Sequence, residues 1–335
     1  MAHRNVPIFI PHLGCPHQCV FCNQRSISEH ESHDLEGIEE TVRSNLSTMR
    51  PGDEAEIAFF GGSFTGIDQD LMVRLLELAQ HYVRRGEVSS IRLSTRPDYI
   101  SEEILEILSR YAVRQIELGI QSMDDEVLLR CQRGHTAEQT RKACRAILEA
   151  GFVLTGQMMI GLPGATPESE RMTAREICDM GASYARIYPT VVFYETPLAR
   201  DCQEGVYTAL SVQEAVERSA DVLEILTDHG VECIRIGLCA TESLTSCEKV
   251  CAGPNHPALG ELVWNEYYYR KLLGLPEMEA LRGKRVALLL PRGLASKVIG
   301  QHRCNIERLL REIGTVVQKV IEDPTRTDVG LMPWE

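Results

Sequence analysis

The sequence predicts an α/β chain: strands of a parallel sheet alternating with outer helices, then a small α+β module at the C-terminal end. Three observations point there. Apolar runs of strand length alternate with segments of helical period as far as about residue 200. Strands separated by helices in this way pair in parallel and carry the helices on the sheet faces. Beyond about residue 280 the pattern changes to strand, short helix, turn, helix, strand, and the charge changes sign.

The strand-like runs are VPIFI, EIAFFGG, SIRLSTR, QIELGIQS, FVLTGQMMIG and ARIYPTVVF. Six strand–helix units fit a partial barrel, a full barrel or an open doubly wound sheet, and periodicity does not separate these. In the first helix Leu35, Ile38, Val42, Leu46 and Met49 recur on one face. Thr136 with Gln139, and Ser211 with Glu214, have capping-box spacing, and Pro167 suits a first helical position. Later come a helix over 212–229, the strand-like VECIRIGL and an aromatic helix in ELVWNEYYYRKLLGL, where Tyr267–Tyr269 either stack on bases or are in part buried. Gly, Pro and charge make LLGLPEMEALRGK a connector. The expected units are a core over 1–205, an extension over 206–280 that completes it and carries a substrate loop, and a basic module over 281–335.

At 44% hydrophobic and 25% charged the chain has the composition of a soluble globular protein. No apolar run has membrane-spanning length, and the N-terminal apolar patch is too short and Pro-broken for a secretory signal, so a cytoplasmic location is expected. Twelve cysteines without an export signal are expected to be reduced. Cys131, Cys144, Cys178 and Cys202 read as small buried hydrophobes. Cys233, Cys239, Cys247 and Cys251 are loosely spaced and read as ordinary thiols ahead of a second metal site. The net charge of −13 argues against general adhesion to nucleic acid. Between Arg282 and Val320, however, nine Lys or Arg oppose only Glu307 and Glu312, which marks the module for a separate task.

The chemistry concentrates in GCPHQCVFC, where Cys15, Cys19 and Cys22 stand at C-x3-C-x2-C spacing. A structural zinc site takes four ligands, with His12 or His17 as the only nearby fourth. An iron–sulfur cluster fits better, because closely spaced thiolates wrap a cubane. Three thiolates leave one iron of a [4Fe–4S] cluster open to chelate a small molecule and pass it an electron.

This spacing after a first strand resembles the signature of the radical S-adenosylmethionine (SAM) enzymes. In that family the open iron holds the amino and carboxylate groups of SAM, and one electron cleaves it to methionine and a 5′-deoxyadenosyl radical. FFGGSFTGI, STRPDYI, ELGIQSMDDEVL, RGHT, GQMMIGLPG and YPTVVFYETPL follow in the order found in the radical SAM domain of the Elongator catalytic subunit, which modifies the tRNA wobble uridine. Oxygen-independent coproporphyrinogen oxidase is a more distant likeness. The resemblance spans about residues 5–200 and implies a partial (β/α)6 TIM-like barrel with its site at the C-terminal strand ends.

By motif it implies that Cys15, Cys19 and Cys22 hold the cluster, Gly61 and Gly62 flank the methionine end of SAM, and Gln157 reaches the ribose with His135 near it. The backbone around Gly161 would pass the adenine, and Phe21 is either an adenine neighbour or a packing residue. Ser94 stands where the Elongator-type motif has a glutamate that contacts SAM, with Glu117 on the next strand as the nearest substitute. No acetyl-CoA loop is visible, so carboxymethylation is not carried over. His256 in GPNHPALGELV is the candidate for proton transfer.

VIGQHRCNIERL resembles a KH-domain core, whose GXXG loop lies against a nucleic-acid backbone, with Arg303 in place of the second glycine. Arg292, Lys297, Gly300 and Arg303 are the candidate RNA contacts, and Ile306, Leu309, Leu310 and Ile313 form a core stripe. The function expected is a radical SAM enzyme acting on tRNA or rRNA, with ferredoxin or flavodoxin as external one-electron donor. Two alternatives stand beside it: a radical SAM enzyme for a small molecule or protein whose module only docks, and an RNA-binding adaptor with an inactive SAM site.

Overall fold

The computed structural model describes residues 3–10, 15, 19–23, 35–50, 53–238 and 248–334. The strand–helix alternation is as expected through β1 (His3–Ile10), α1 (Leu35–Ser47), β2 (Glu54–Gly61), α2 (Gln69–Arg84), β3 (Ser90–Thr95), α3 (Glu102–Ser109), β4 (Val113–Gln121), α4 (Asp125–Arg130), α5 (Ala137–Glu149), β5 (Val153–Ile160), α6 (Pro167–Asp179) and β6 (Tyr184–Pro189). Next come β7 (Val192–Phe193), α7 (Pro197–Gln203), α8 (Val212–Asp228), β8 (Glu232–Ile236), β9 (Val250–Ala252), α9 (Leu259–Leu273) and α10 (Met278–Leu281).

Seven strands form the main sheet in the order β1-β2-β3-β4-β5-β6-β8, with every pair parallel. The order follows the chain without the reversal that a doubly wound sheet requires. β1 and β8 are the two edges and do not pair, so the sheet is a curled half-barrel. VECIRIGL thus adds a seventh strand to the six expected.

Alternate side chains point to opposite faces, and the two faces differ in kind. The outer face packs Ile57, Ile91, Leu93, Ile116, Leu118, Leu154, Met158 and Ile187 beneath the helices, all buried. Each such residue contributes roughly 1.5–3 kcal/mol by leaving water. The inner face is polar. Arg92 donates to Glu56 at 2.7 Å and to Glu117 at 3.1 Å, and Arg186 reaches the same Glu117 at 2.7 Å.

The helix signals act as the spacing requires. Thr136–Gln139 and Ser211–Glu214 form reciprocal capping boxes, Thr166–Ser169 adds another, and Pro167 opens α6. Ile38 and Val42 are buried, with Leu35, Leu46 and Met49 packed around them. Among the described residues no helix is long and apolar enough to cross a membrane.

The C-terminal module contains β10 (Arg285–Leu290), α11 (Ala295–Ile299), α12 (Cys304–Ile313), β11 (Val316–Glu322) and β12 (Gly330–Pro333), with sheet order β11-β10-β12. The last strand is additional to the expected pattern. α9 belongs to both parts: it packs on α8 and β8 of the half-barrel and on α11 and α12. Tyr267, Tyr268 and Tyr269 are all buried there, so none is a free stacking platform. Leu310, expected in the core stripe, is 54% exposed while Ile306 and Leu309 are buried, because α12 packs on one side only.

The joint is polar as well as apolar. The Asn305 side-chain amide donates to the carbonyls of Asn265 (2.8 Å) and Val298 (3.0 Å), and Arg308 pairs with Glu266 at 2.6 Å above the Tyr269 ring. Asn305 is fully buried, so Asn305→Ala removes a side-chain donor from each of two carbonyls and empties buried space. The expected loss is about 2 kcal/mol in chemical denaturation, with the module's amides exchanging faster. Unchanged stability would show that these carbonyls find other donors.

Candidate active site

The site lies at the C-terminal ends of the strands, and arginines organise it. Of the cysteine loop, Cys15 and residues 19–23 are described, whereas Gly14, His12 and His17 lie outside the described residues. The loop is pinned from two sides: Val20 N–H donates to the Cys131 carbonyl (3.2 Å), and Leu198 N–H donates to the Val20 carbonyl (3.0 Å). Cys22 N–H closes a turn onto the Cys19 carbonyl at 3.0 Å. None of the ten described cysteines is in a disulfide.

Arg133 is the hub. Its Nη1 lies 3.2 Å from the buried Cys19 Sγ, Nη2 donates to the Gly119 carbonyl at 2.6 Å, and Nε donates to His135 Nε2 at 3.3 Å. Arg96 stands alongside, bonded to the Arg133 carbonyl and held by both oxygens of Asp98 at 2.9 and 3.0 Å, with Nη1 4.0 Å from Cys19 Sγ. Burial pushes the Cys15 thiol up, while the Arg96 charge and the Ser63 amide draw it down.

The donor set fits a thiolate-bound cluster. Arg133 is 6% exposed, and its bonds go to a carbonyl, an imidazole and a thiol. A buried cation without a carboxylate calls for an anion, and thiolates bound to iron supply one. Among the described residues no three His, Cys, Asp or Glu side chains converge on a single ion. A cubane requires no such convergence, since each thiolate takes a separate iron.

The other expected residues fall into distinct surroundings. Gly61 has φ +103°, and a Cβ there would meet the Ile10 backbone at 3.2 Å, so the approach of β1 already demands glycine. Gly62 N–H donates to the Ile10 carbonyl at 2.8 Å. Ser94 donates to Glu117 at 3.3 Å, but that carboxylate is already shared by Arg92 and Arg186 and is no free stand-in for the missing glutamate. The Gln157 side chain points inward and has no hydrogen-bond partner among the described residues. Gly161 gives its N–H to Glu170 (2.6 Å) and its carbonyl to Tyr207 (2.6 Å), so both polar groups serve the turn. Phe21 is half-buried against the cluster of Val20, Val127 and Leu162.

His135 sits behind Arg133 as a support. His256 Nδ1 accepts from Ala258 N–H at 3.1 Å in the turn before α9, which leaves Nε2 for any proton transfer. Cys233 is pushed up to about 12 by burial, and Cys239 and Cys247 lie outside the described residues. Burial likewise raises Cys131 and Cys144 to about 12, in keeping with buried protonated thiols.

On the module the GXXG-like turn differs from expectation. Gly300 is buried, with Cys304 Sγ and Asn305 occupying the space beside it. Lys297 Nζ lies 4.2 Å from the Trp264 ring, and Gln301 N–H donates to Asn265 at 3.1 Å. Lys297 therefore faces α9, and Gly300 packs against the start of α12. Arg292, His302 and Arg303 are exposed, and His302 and Arg303 hold left-handed backbone at φ +50° and +64°.

Sequence reading missed Arg96, Arg133 and Gln121. Both arginines sat inside quoted motifs, STRPDYI and RGHT, and charge within a buried turn was the available signal. Gln121 ends β4 at φ +67°, buried, with Oε1 lacking a partner among the described residues. A buried amide oxygen left without a donor calls for an explanation, and a bound polar group is one.

Residues 9–177 match the Radical SAM superfamily and residues 182–269 the Radical_SAM C-terminal domain. The tRNA uridine(34) acetyltransferase of Methanocaldococcus jannaschii is 27% identical over 61% of this chain and 45% of its own length. Elongator complex protein 3 of Saccharomyces cerevisiae is 25% identical over 52% of this chain and 35% of its own. The chain spans about half the length of the curated relatives it matches. The archaeal Elp3 structure from Methanocaldococcus infernus aligns with TM-score 0.65 over 81% of this chain and 63% of its own, at 23% identity, which shows the shared fold.

The His135 contact carries a pH signature. Burial first, and the Arg133 charge next, lower its pKa from 6.5 to about 4, so Nε2 stays free to accept from Arg133. A group that binds its proton less readily when folded loses stability as pH falls from its unfolded pKa to its folded one. Stability should therefore decline between pH 6.5 and about 4, and His135→Gln should flatten that slope in denaturation measured across the window. An equal slope in the variant would remove His135 from this role.

Proposed function

The chain belongs to the radical SAM superfamily, whose enzymes use SAM and a [4Fe–4S] cluster, and from that premise we propose that Cys15, Cys19 and Cys22 hold the cluster and that the enzyme modifies RNA, tRNA or rRNA. When bound, the cluster supplies the electron that cleaves SAM reductively to give a 5′-deoxyadenosyl radical. The residues of this chain bind, orient and exclude water. Arg133 and Arg96 balance negative charge beside Cys19. Gln121 and Gln157 offer amides to the polar groups of SAM, and Phe21 with Leu162 gives an apolar wall. An external electron donor, a ferredoxin or flavodoxin, completes the scheme.

The RNA assignment rests on one observation: Arg292 and Arg303 are exposed within the basic stretch Arg282–Val320 and form no ion pair among the described residues. Guanidinium groups left open in this way suit phosphate. The relatives named for tRNA uridine support the same substrate class. The alternative, a module that only docks, draws on the Lys297–Trp264 and Gln301–Asn265 contacts to α9.

Anaerobic incubation with SAM, dithionite and total tRNA should yield 5′-deoxyadenosine and a modified nucleoside detectable by mass spectrometry. Arg292→Glu with Arg303→Glu should weaken RNA retention about tenfold or more and lower its salt dependence. RNA retention equal to the parent's would favour the docking module.

A further inference from the structure

Cross-strand register places Gly119, Gln157, Arg186 and Arg235 in one row across β4, β5, β6 and β8. Direct neighbours in such a row share a face, so the two arginines stand side by side on the inner face, next to Gln157. Like charges placed directly opposite destabilise a sheet unless something neutralises them.

Arg186 is already engaged. Nη2 donates to Glu117 at 2.7 Å, Nη1 to the Tyr188 hydroxyl at 3.2 Å, and the guanidinium lies 5.1 Å from the Phe60 ring centroid across the lumen. Among the described residues Arg235 has one bond, from Nε to the Gly237 carbonyl at 3.1 Å, and no carboxylate there lies within ion-pair distance. Its Nη groups have no partner among the described residues. Arg235 is half-buried on the edge strand, where the half-barrel opens. A cation placed between low-dielectric walls concentrates anions.

We propose that Arg235, beside Arg186 and Tyr188, binds an anionic oxygen group of the substrate, a phosphate or a carboxylate, at the open edge of the lumen next to Gln157. Two Nη donors match the paired oxygens of either group. The site rests on the radical SAM activity proposed above, with the lumen as its reaction chamber. A substrate would be held there and by the exposed arginines of the basic module.

Calorimetry on the reconstituted holoenzyme with SAM at low ionic strength tests this, with inorganic phosphate, malonate and the trinucleotide UpUpU as probes. Saturable binding of at least one probe is expected, weakened about tenfold or more in Arg235→Gln, as loss of a charge-assisted bond implies. Arg235→Lys should recover part of the affinity, and Arg175→Gln on the outer surface should bind as the parent does. Preference for malonate identifies a small carboxylate as the source of the anion, and preference for UpUpU the RNA backbone. Absence of saturable binding, or equal affinity in Arg235→Gln, overturns the site. 5′-Deoxyadenosine is assayed in the same parent sample, so failure of SAM cleavage there overturns the reaction-chamber premise, and failure of anion binding alone overturns only this proposal.

Discussion

A guanidinium buried beneath a thiol is the constraint on which the site depends. Moving a cation out of water costs several kcal/mol even after relaxation, and a protein usually recovers that with a carboxylate. Arg96 follows the usual pattern through Asp98. Arg133 does not, and leans instead on the Gly119 carbonyl, a neutral His135 and Cys19. Those partners come from the end of one strand, the turn after α4 and the cysteine loop. Placing the charge therefore fixes three segments relative to one another and aims an uncompensated positive field at the thiol.

The same economy of charge governs the lumen. Glu56, Arg92, Glu117 and Arg186 form a chain of ion pairs in which each removal would strand a partner, at roughly 3–5 kcal/mol. Such a chain makes a rigid floor below the strand ends. Beside Arg186, Gln157 and Arg235 have side-chain donors without partners among the described residues. The half-barrel thus sets an ion-paired polar network, which holds the fold, next to side-chain donors that are available to ligands. α9 extends the frame outward, since Asn265, Glu266 and Tyr269 tie the module to the barrel.

Local features were legible in the sequence because local physics determines them. The capping boxes at Thr136 and Ser211, the α1 stripe and the C-x3-C-x2-C loop each depend on residues a few positions apart. Long-range features were not. Whether six strand–helix units close, reverse or stop as a half-barrel depends on strand order. Lys297 reads as facing RNA because its neighbour Trp264 lies some thirty positions upstream, and Gly300 because its burial against Cys304 and Asn305 depends on how the turn folds back onto α12. Arg133 gives no sign in its own motif that Cys19, 114 positions away, is its partner. Gln121 escaped notice because a left-handed glutamine at a strand end has no sequence signal.

The central claim is that three thiolates hold an iron–sulfur cluster against these arginines. Its most direct measure is the iron and acid-labile sulfide content of anaerobically reconstituted protein, read together with the electron paramagnetic resonance of the dithionite-reduced sample. About four irons and four sulfides per chain are predicted, with a reduced-cluster signal that disappears in each of Cys15→Ala, Cys19→Ala and Cys22→Ala. Zinc in place of iron, or an unchanged signal in the triple alanine variant, would contradict the account.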